Sequence, residues 1–209
     1  MTTQQTTQAV TFQAGDLTLE GALHLPEKTP AAGVVVCHPH PLYGGDMDNN
    51  VVMAACQALV ERGIAALRFN FRGAGNSQGE HDNGNGERDD LRAALEHLRS
   101  LPEIDSDRIG LIGYSFGAVV SAEVASGALR ALTLISPPVE FADIKVAWGC
   151  PALIIGGDMD HLAPVERLEL VAESPGVELF VVSGADHSWW GCDDELGEAI
   201  GQFFSNHMR

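Results

Sequence analysis

The chain has only two lysines, Lys28 and Lys145, and its 12 basic residues stand against 29 acidic ones, a formal charge of −17 over 209 residues. A surface that neutralises phosphates needs the opposite sign, so nucleic acid and anionic membrane surfaces are disfavoured as partners. The excess acid reads as solubility, and it tolerates a neutral or cationic substrate better than a polyanion. Cysteine is scarce as well: Cys37, Cys56, Cys150 and Cys192, none in C-x-x-C spacing. A chain of this length builds its core without disulfides. No apolar run approaches the ~20 residues of a membrane span. The opening "MTTQQTTQAV" has neither the basic region nor the apolar stretch of a secretory signal. The expectation is a cytoplasmic protein with free thiols. No internal repeat or composition shift marks a boundary, so residues 1–209 are expected to form one domain, with 1–9 as a disordered tail.

What is present is a regular alternation. "TFQAGDLTLEGALHLP" alternates apolar and polar residues around Gly15-Asp16, the pattern of a β-hairpin. "GVVVCHP" is a β-branched run suited to a strand buried on both faces. "NNVVMAACQALVERG" follows with helical spacing, an Asn cap and Gly63 as stop. Then come "IAALRFNF" (strand), "GERDDLRAALEHLRSL" (helix), "RIGLIGYS" (strand), "FGAVVSAEVASG" (helix), "RALTLIS" and "PALIIGG" (strands), "PVERLELVAES" (helix), "VELFVVSG" (strand) and "DDELGEAIGQFFSNH" (helix). The pattern predicts an α/β fold with about eight strands, mostly parallel, and helices on both faces.

The irregular stretch "RGAGNSQGEHDNGNG" is rich in Gly and Asn. Gly73, Gly75 and Gly79 miss the dinucleotide spacing by one, and no G-K-[ST] follows, so a nucleotide loop is disfavoured. It reads as a solvated connection bending beside the sheet's carboxyl edge, where ligands bind in such sheets.

Gly113-Tyr114-Ser115-Phe116-Gly117 is a G-x-S-x-G. Chance supplies that pattern in about one chain in eight of this composition, so context must carry it. It lies where a buried strand ends and a helix begins. There a serine sits on a strained turn, and small neighbours two before and two after let strand and helix approach. A serine also needs a base, and the base an orienting acid, in the chain order Ser, Asp or Glu, His. Asp158 and Asp160 follow one strand in "GGDMDHLAP", and His187 follows the last in "ADHSWWG".

From Val10 to about His207 the chain resembles the α/β-hydrolase superfamily, and more narrowly the small lidless bacterial dienelactone-hydrolase-like proteins and carboxylesterases. H-P-H-P-x-x-G-G after the third strand, "RFNFRGAGNSQGE" and "GADH" before an aromatic pair carry the narrower likeness. G-x-x-D with a proline four residues beyond the acid fits Gly157, Asp160 and Pro164. The resemblance therefore implies Asp160 as the acid and Asp158 as the alternative. Dienelactone hydrolases carry cysteine at the elbow, whereas Ser115 favours an ordinary ester.

The His-Pro-His-Pro loop then has a role. Two donors must hold an acyl-transfer oxyanion: the N–H after the nucleophile, on Phe116, and one from the loop after the third strand. Pro39 and Pro41 have no N–H, and they hold His38 and His40 extended. The resemblance places the donor at His40, with Leu42 as fallback. The competing reading is a metal held by His38 and His40 with Asp46 and Asp48 nearby, but a third ligand at recognisable spacing is missing. The His38 side chain is expected to make a structural hydrogen bond under the loop. Tyr43 and Leu42 are expected to border the substrate. Trp189 and Trp190 either line the acyl or alcohol pocket, or one of them packs beneath the histidine loop. Cys37 reads as a buried thiol, His161 as solvated, and Cys192 has nothing near it in sequence to activate it.

Only "PPVEFADIKVAWGC" separates "LTLIS" from "PALII", too short for a cap domain. An open site implies small or short-chain acyl esters. The resemblance thus implies a serine esterase acting through Ser115, His187 and Asp160 on a small-molecule ester, with no metal or organic cofactor, as a monomer or homodimer. A thioesterase, an acyltransferase or a peptidase would use the same three groups, and a catalytically silent binding module would use the same scaffold.

Overall fold

A computed structural model describes residues 6–144 and 146–209. Strands β1 (Thr6–Ala14) and β2 (Leu17–Leu25) form the hairpin, and six strands follow: β3 (Ala31–Cys37), β4 (Ala65–Phe69), β5 (Ile104–Tyr114), β6 (Ala131–Ile135), β7 (Ala152–Gly157) and β8 (Val177–Val182). They make one sheet in the order β1-β2-β4-β3-β5-β6-β7-β8. β1 and β2 pair antiparallel, as do β2 and β4, and every later pairing is parallel.

The hairpin begins earlier than the sequence suggests. Residues 6–9 are not part of a tail but the first half of β1, with Thr6 opposite Leu25 and Ala9 opposite Ala22. The exposed, polar Thr6, Thr7 and Gln8 hide the strand from a reading based on hydrophobicity; its backbone partner is β2. The first five residues lie outside the described part.

Alternation along the central strands sorts the core into two layers. In β3, Val34 and Val36 face one layer, and Val35 and Cys37 the other. Helices α1 (Asn50–Glu61) and α5 (Asp193–His207) cover the first layer. Helices α2 (Asn85–Ser100) and α3 (Phe116–Val124) cover the second, and α4 (Val165–Ala172) seats Leu168 on Ile154 near the β8 edge. All four cysteines are unpaired. Burial pushes the Cys37 and Cys56 thiols up to about 12, so both are small apolar fillers. Among the described residues no helix is long and apolar enough to cross a membrane.

The chain leaves β3 toward β4 on one side and later enters β5 on the other, so the sheet's strand order reverses between β3 and β5. The loops after these two strands meet over that crevice, where ligands bind in open α/β sheets. The β6–β7 connection is short, and among the described residues no cap covers the crevice.

Close approach at this point rests on glycine. A Cβ on Gly117 would lie 2.6 Å from the His38 carbonyl oxygen, and one on Gly113 2.3 Å from that of Gly117. Gly117→Ala is expected to push α3 off the end of β3 and to cost about 1–3 kcal/mol, measured by urea unfolding.

Candidate active site

Ser115 ends β5 and caps α3 with φ 53° and ψ −117°, a backbone few non-glycine residues adopt. Its N–H donates to Ile135 at 2.9 Å, which ties the turn to β6. The turn pushes the hydroxyl out of the sheet, and Oγ lies 2.9 Å from His187 Nε2. The other ring nitrogen, Nδ1, lies 2.8 Å from Asp160 Oδ2 and 3.0 Å from Oδ1. A carboxylate can only accept, so Nδ1 carries the hydrogen and Nε2 is free to accept from the serine.

Asp160 follows β7 and is buried. Burial alone would raise its carboxyl, but hydrogen bonds from His187 and the Ser136 hydroxyl, the His187 charge and the Leu162 N–H outweigh it and leave it below the ordinary carboxylate range. Oδ1 also accepts from the N–H groups of Leu162 at 2.9 Å and Ala163 at 3.1 Å. Asp158, the alternative acid, is turned away, accepting from Ser183 Oγ and the Gly184 N–H.

The loop carrying His187 is anchored from three sides. The Tyr114 hydroxyl donates to the His187 carbonyl. Asn50 Nδ2 donates to the Ser188 carbonyl at 3.0 Å, and Asp186 Oδ1 accepts from the N–H groups of Ser188 and Trp189. Trp189 is fully buried, with φ 62°, and its indole Nε1 donates to Ser136 Oγ at 3.0 Å. Ser136 therefore touches both the histidine loop and Asp160, a role no motif announces.

The His-Pro-His-Pro loop curls back on itself. Pro41–Tyr43 form a 3-10 turn, and the N–H groups of Tyr43 and Gly45 donate to the His40 carbonyl. A Cβ on Gly45 would lie 2.3 Å from the Pro39 carbonyl oxygen, and Gly44 has the left-handed φ of 81°, which together account for the Gly-Gly. His38 is fully buried; Nε2 accepts from the Phe71 N–H at 3.0 Å, so Nδ1 donates to the Pro39 carbonyl, 2.6 Å away. Burial lowers its ring to about 4. Both its nitrogens are engaged within the protein. Asp48 is paired with Arg68, and Asp46 accepts from the Asp48 N–H. Among the described residues no three His, Cys, Asp or Glu side chains gather as a metal site. The Leu42 N–H, the fallback donor, is bonded to His40 Nδ1 at 3.2 Å.

The hydroxyl of Ser115 opens into a cleft of about 320 Å³. Tyr43 and Trp190 line it, as do Leu162, Asn49, Asn50 and Ser188, which sequence reasoning missed. Two expectations need correction. Leu42 is largely exposed but is not among the lining residues, because the 3-10 turn points it outward. Trp189 does not line the cleft either; its indole is the buried anchor beneath the loop. His161 is exposed. The Cys192 thiol lies outside the cleft lining and is raised by partial desolvation and by Glu195, Asp193 and Asp186.

Fold and site together define an α/β serine hydrolase without a lid. The chain belongs to the X-Pro dipeptidyl-peptidase (S15) family, whose model matches residues 15–152. It is 36% identical to an alpha-beta serine hydrolase homologue from Coxiella burnetii, with 97% of this chain and 98% of that one covered and a TM-score of 0.85. A lidless serine hydrolase from Xanthomonas campestris is 33% identical over 96% of this chain and 94% of its own, with a TM-score of 0.86. An uncharacterized protein of Rickettsia prowazekii is 34% identical over 92% of this chain and 86% of its own length.

Proposed function

We propose that this hydrolase cleaves carboxylic esters with small or short acyl groups through an acyl-enzyme. The observation that carries the reading is the unbroken hydrogen-bonded chain from Ser115 through His187 to Asp160. His187 takes the proton of Ser115 as Oγ attacks the ester carbonyl. The N–H groups of Phe116 and His40 receive the oxyanion. His187 then protonates the leaving alcohol, and afterwards draws a proton from the water that releases the acid. Asp160 holds the imidazole in the useful tautomer and stabilises its charged form.

One feature favours an ester over the peptide named by the family. An enzyme that releases dipeptides from an N-terminus must hold a cationic α-amino group, and the residues lining the cleft include no carboxylate. The cleft is also uncapped, which suits small substrates rather than long buried acyl chains. The four unpaired cysteines are consistent with a reducing, cytoplasmic setting.

The test is intact mass after exposure to a fluorophosphonate, with Ser115→Ala as control, followed by rates on p-nitrophenyl acetate, a short acyl thioester and an alanyl-prolyl anilide. One adduct on the wild type alone, with turnover of the oxyester, is the expected result. No adduct on folded protein would leave a silent scaffold, and preference for the anilide would restore the peptidase reading.

The donor assignment has its own test. His40 has φ −62°, which proline also adopts, so His40→Pro removes the N–H at a backbone already suited to it. Relative to His40→Ala, which removes the ring and keeps the N–H, His40→Pro should lower kcat by about 10²–10³-fold.

A further inference from the structure

Three rings meet beside the reacting centre. The His40 and Phe116 centroids are 4.8 Å apart, and that of His81 lies 4.6 Å from His40 and 5.3 Å from Phe116. His40 and Phe116 are the two residues whose N–H groups are assigned to the oxyanion. Their side chains touch each other, and His81, from the loop between β4 and α2, takes the third place.

That loop is not the solvated connection its composition suggests. Glu87, fully buried in the first turn of α2, accepts from the N–H groups of Asp82 at 2.9 Å and Gly84 at 2.8 Å. Its Oε1 also lies 2.7 Å from His81 Nδ1. The His81 side chain is 5% exposed, and neither of its ring nitrogens makes a hydrogen bond among the described residues. Burying a ring nitrogen unpaired is unfavourable, so the imidazole is not placed there for its polarity. What the site uses is the face and edge of a ring, pressed onto its neighbours by a loop knotted around one carboxylate.

We propose that His81 is a positioning residue, whose ring, carried by the loop that Glu87 braces, clasps the side chains of His40 and Phe116 and thereby fixes the spacing of their two N–H donors. This rests on the reading that those two donors hold the oxyanion. Such donors act only when they are already aimed, and a small misplacement costs rate without weakening substrate binding. His40 lies on the loop after β3 and Phe116 begins α3, so the clasp joins two otherwise separate elements.

The test compares wild type, His81→Phe and His81→Ala on p-nitrophenyl acetate, together with inhibition by methaneboronic acid, which Ser115 adds to give a tetrahedral anion. His81→Ala is expected to lose about tenfold in kcat and in boronate affinity, with KM within about twofold. His81→Phe, which keeps the ring, should stay within about threefold of wild type in both. Folding is checked by thermal melting. If His81→Ala does not fold, His81→Leu replaces it under the same criteria. The proposal is overturned by a folded ringless variant with unchanged kcat, by a loss confined to KM, or by a His81→Phe as impaired as His81→Ala. Equal kcat for His40→Pro and His40→Ala would instead show that the donor assignment has failed. A large difference between them with silent His81 variants would overturn the clasp alone.

Discussion

Ser115→Ala and His187→Ala should each lower kcat on a p-nitrophenyl ester by about 10⁶-fold, and the double variant should lose no more than either single one. The reason lies in the 2.9 Å hydrogen bond between Ser115 Oγ and His187 Nε2. Without the base, the hydroxyl must lose its proton to water; without the hydroxyl, the base has nothing to activate. Each substitution therefore removes the same pathway. What remains comes from the donors and the cleft, and it is common to all three variants. Steady-state rates on purified protein, backed by the stoichiometry of fluorophosphonate labelling, check this. Additive losses would mean that serine and histidine act on different steps. Neither substitution should disturb folding, because both side chains face the cleft rather than the core.

Asp160→Asn should lower kcat by about 10⁴-fold while leaving the fold intact. Oδ1 of Asp160 accepts from Leu162 and Ala163, and an asparagine retains those bonds with its own oxygen. Its amide nitrogen then faces His187 Nδ1 and donates to it. The ring hydrogen moves to Nε2, where it points at Ser115 and blocks proton transfer. The same substitution has a signature in stability. The Asp160 carboxyl is held below its ordinary value, so its contribution is present above its unfolded value and fades as pH falls through the lower folded one. The stability difference between wild type and Asp160→Asn should therefore narrow on acidification, as seen by urea unfolding across the acid range. Asp158→Asn should leave kcat close to wild type, since its carboxylate is occupied by Ser183 and Gly184.

The alternation of apolar strands and helices was legible in the sequence because burial on both faces leaves near-continuous β-branched runs, as in "GVVVC". β1 was only half legible: its first residues are exposed and polar, and pairing is a backbone property that composition does not display. Ser115, His187 and Asp160 stood out because each follows a strand, and the structure brings them into one hydrogen-bonded chain. Choosing between Asp158 and Asp160 took a family spacing, since both follow the same strand. Ser136 and His81 were invisible for another reason. Their contacts are to residues distant in the chain, through single side-chain atoms or ring faces, and neither follows a period or a motif. Trp189 and Trp190 are adjacent and chemically identical, and it is Trp189, with its left-handed backbone and its bond to Ser136, that turns inward.

The protein's three indoles differ in environment. Trp148 and Trp189 are shielded from water, while Trp190 stands 77% exposed at the mouth of the cleft. Emission from the two interior indoles lies out of reach of a charged aqueous quencher such as caesium, and that from Trp190 does not. A ligand settling over Ser115 must therefore change the quenchable fraction of the light. Occupancy of the cleft can be followed in the unlabelled protein by its own fluorescence, even with compounds that are never turned over.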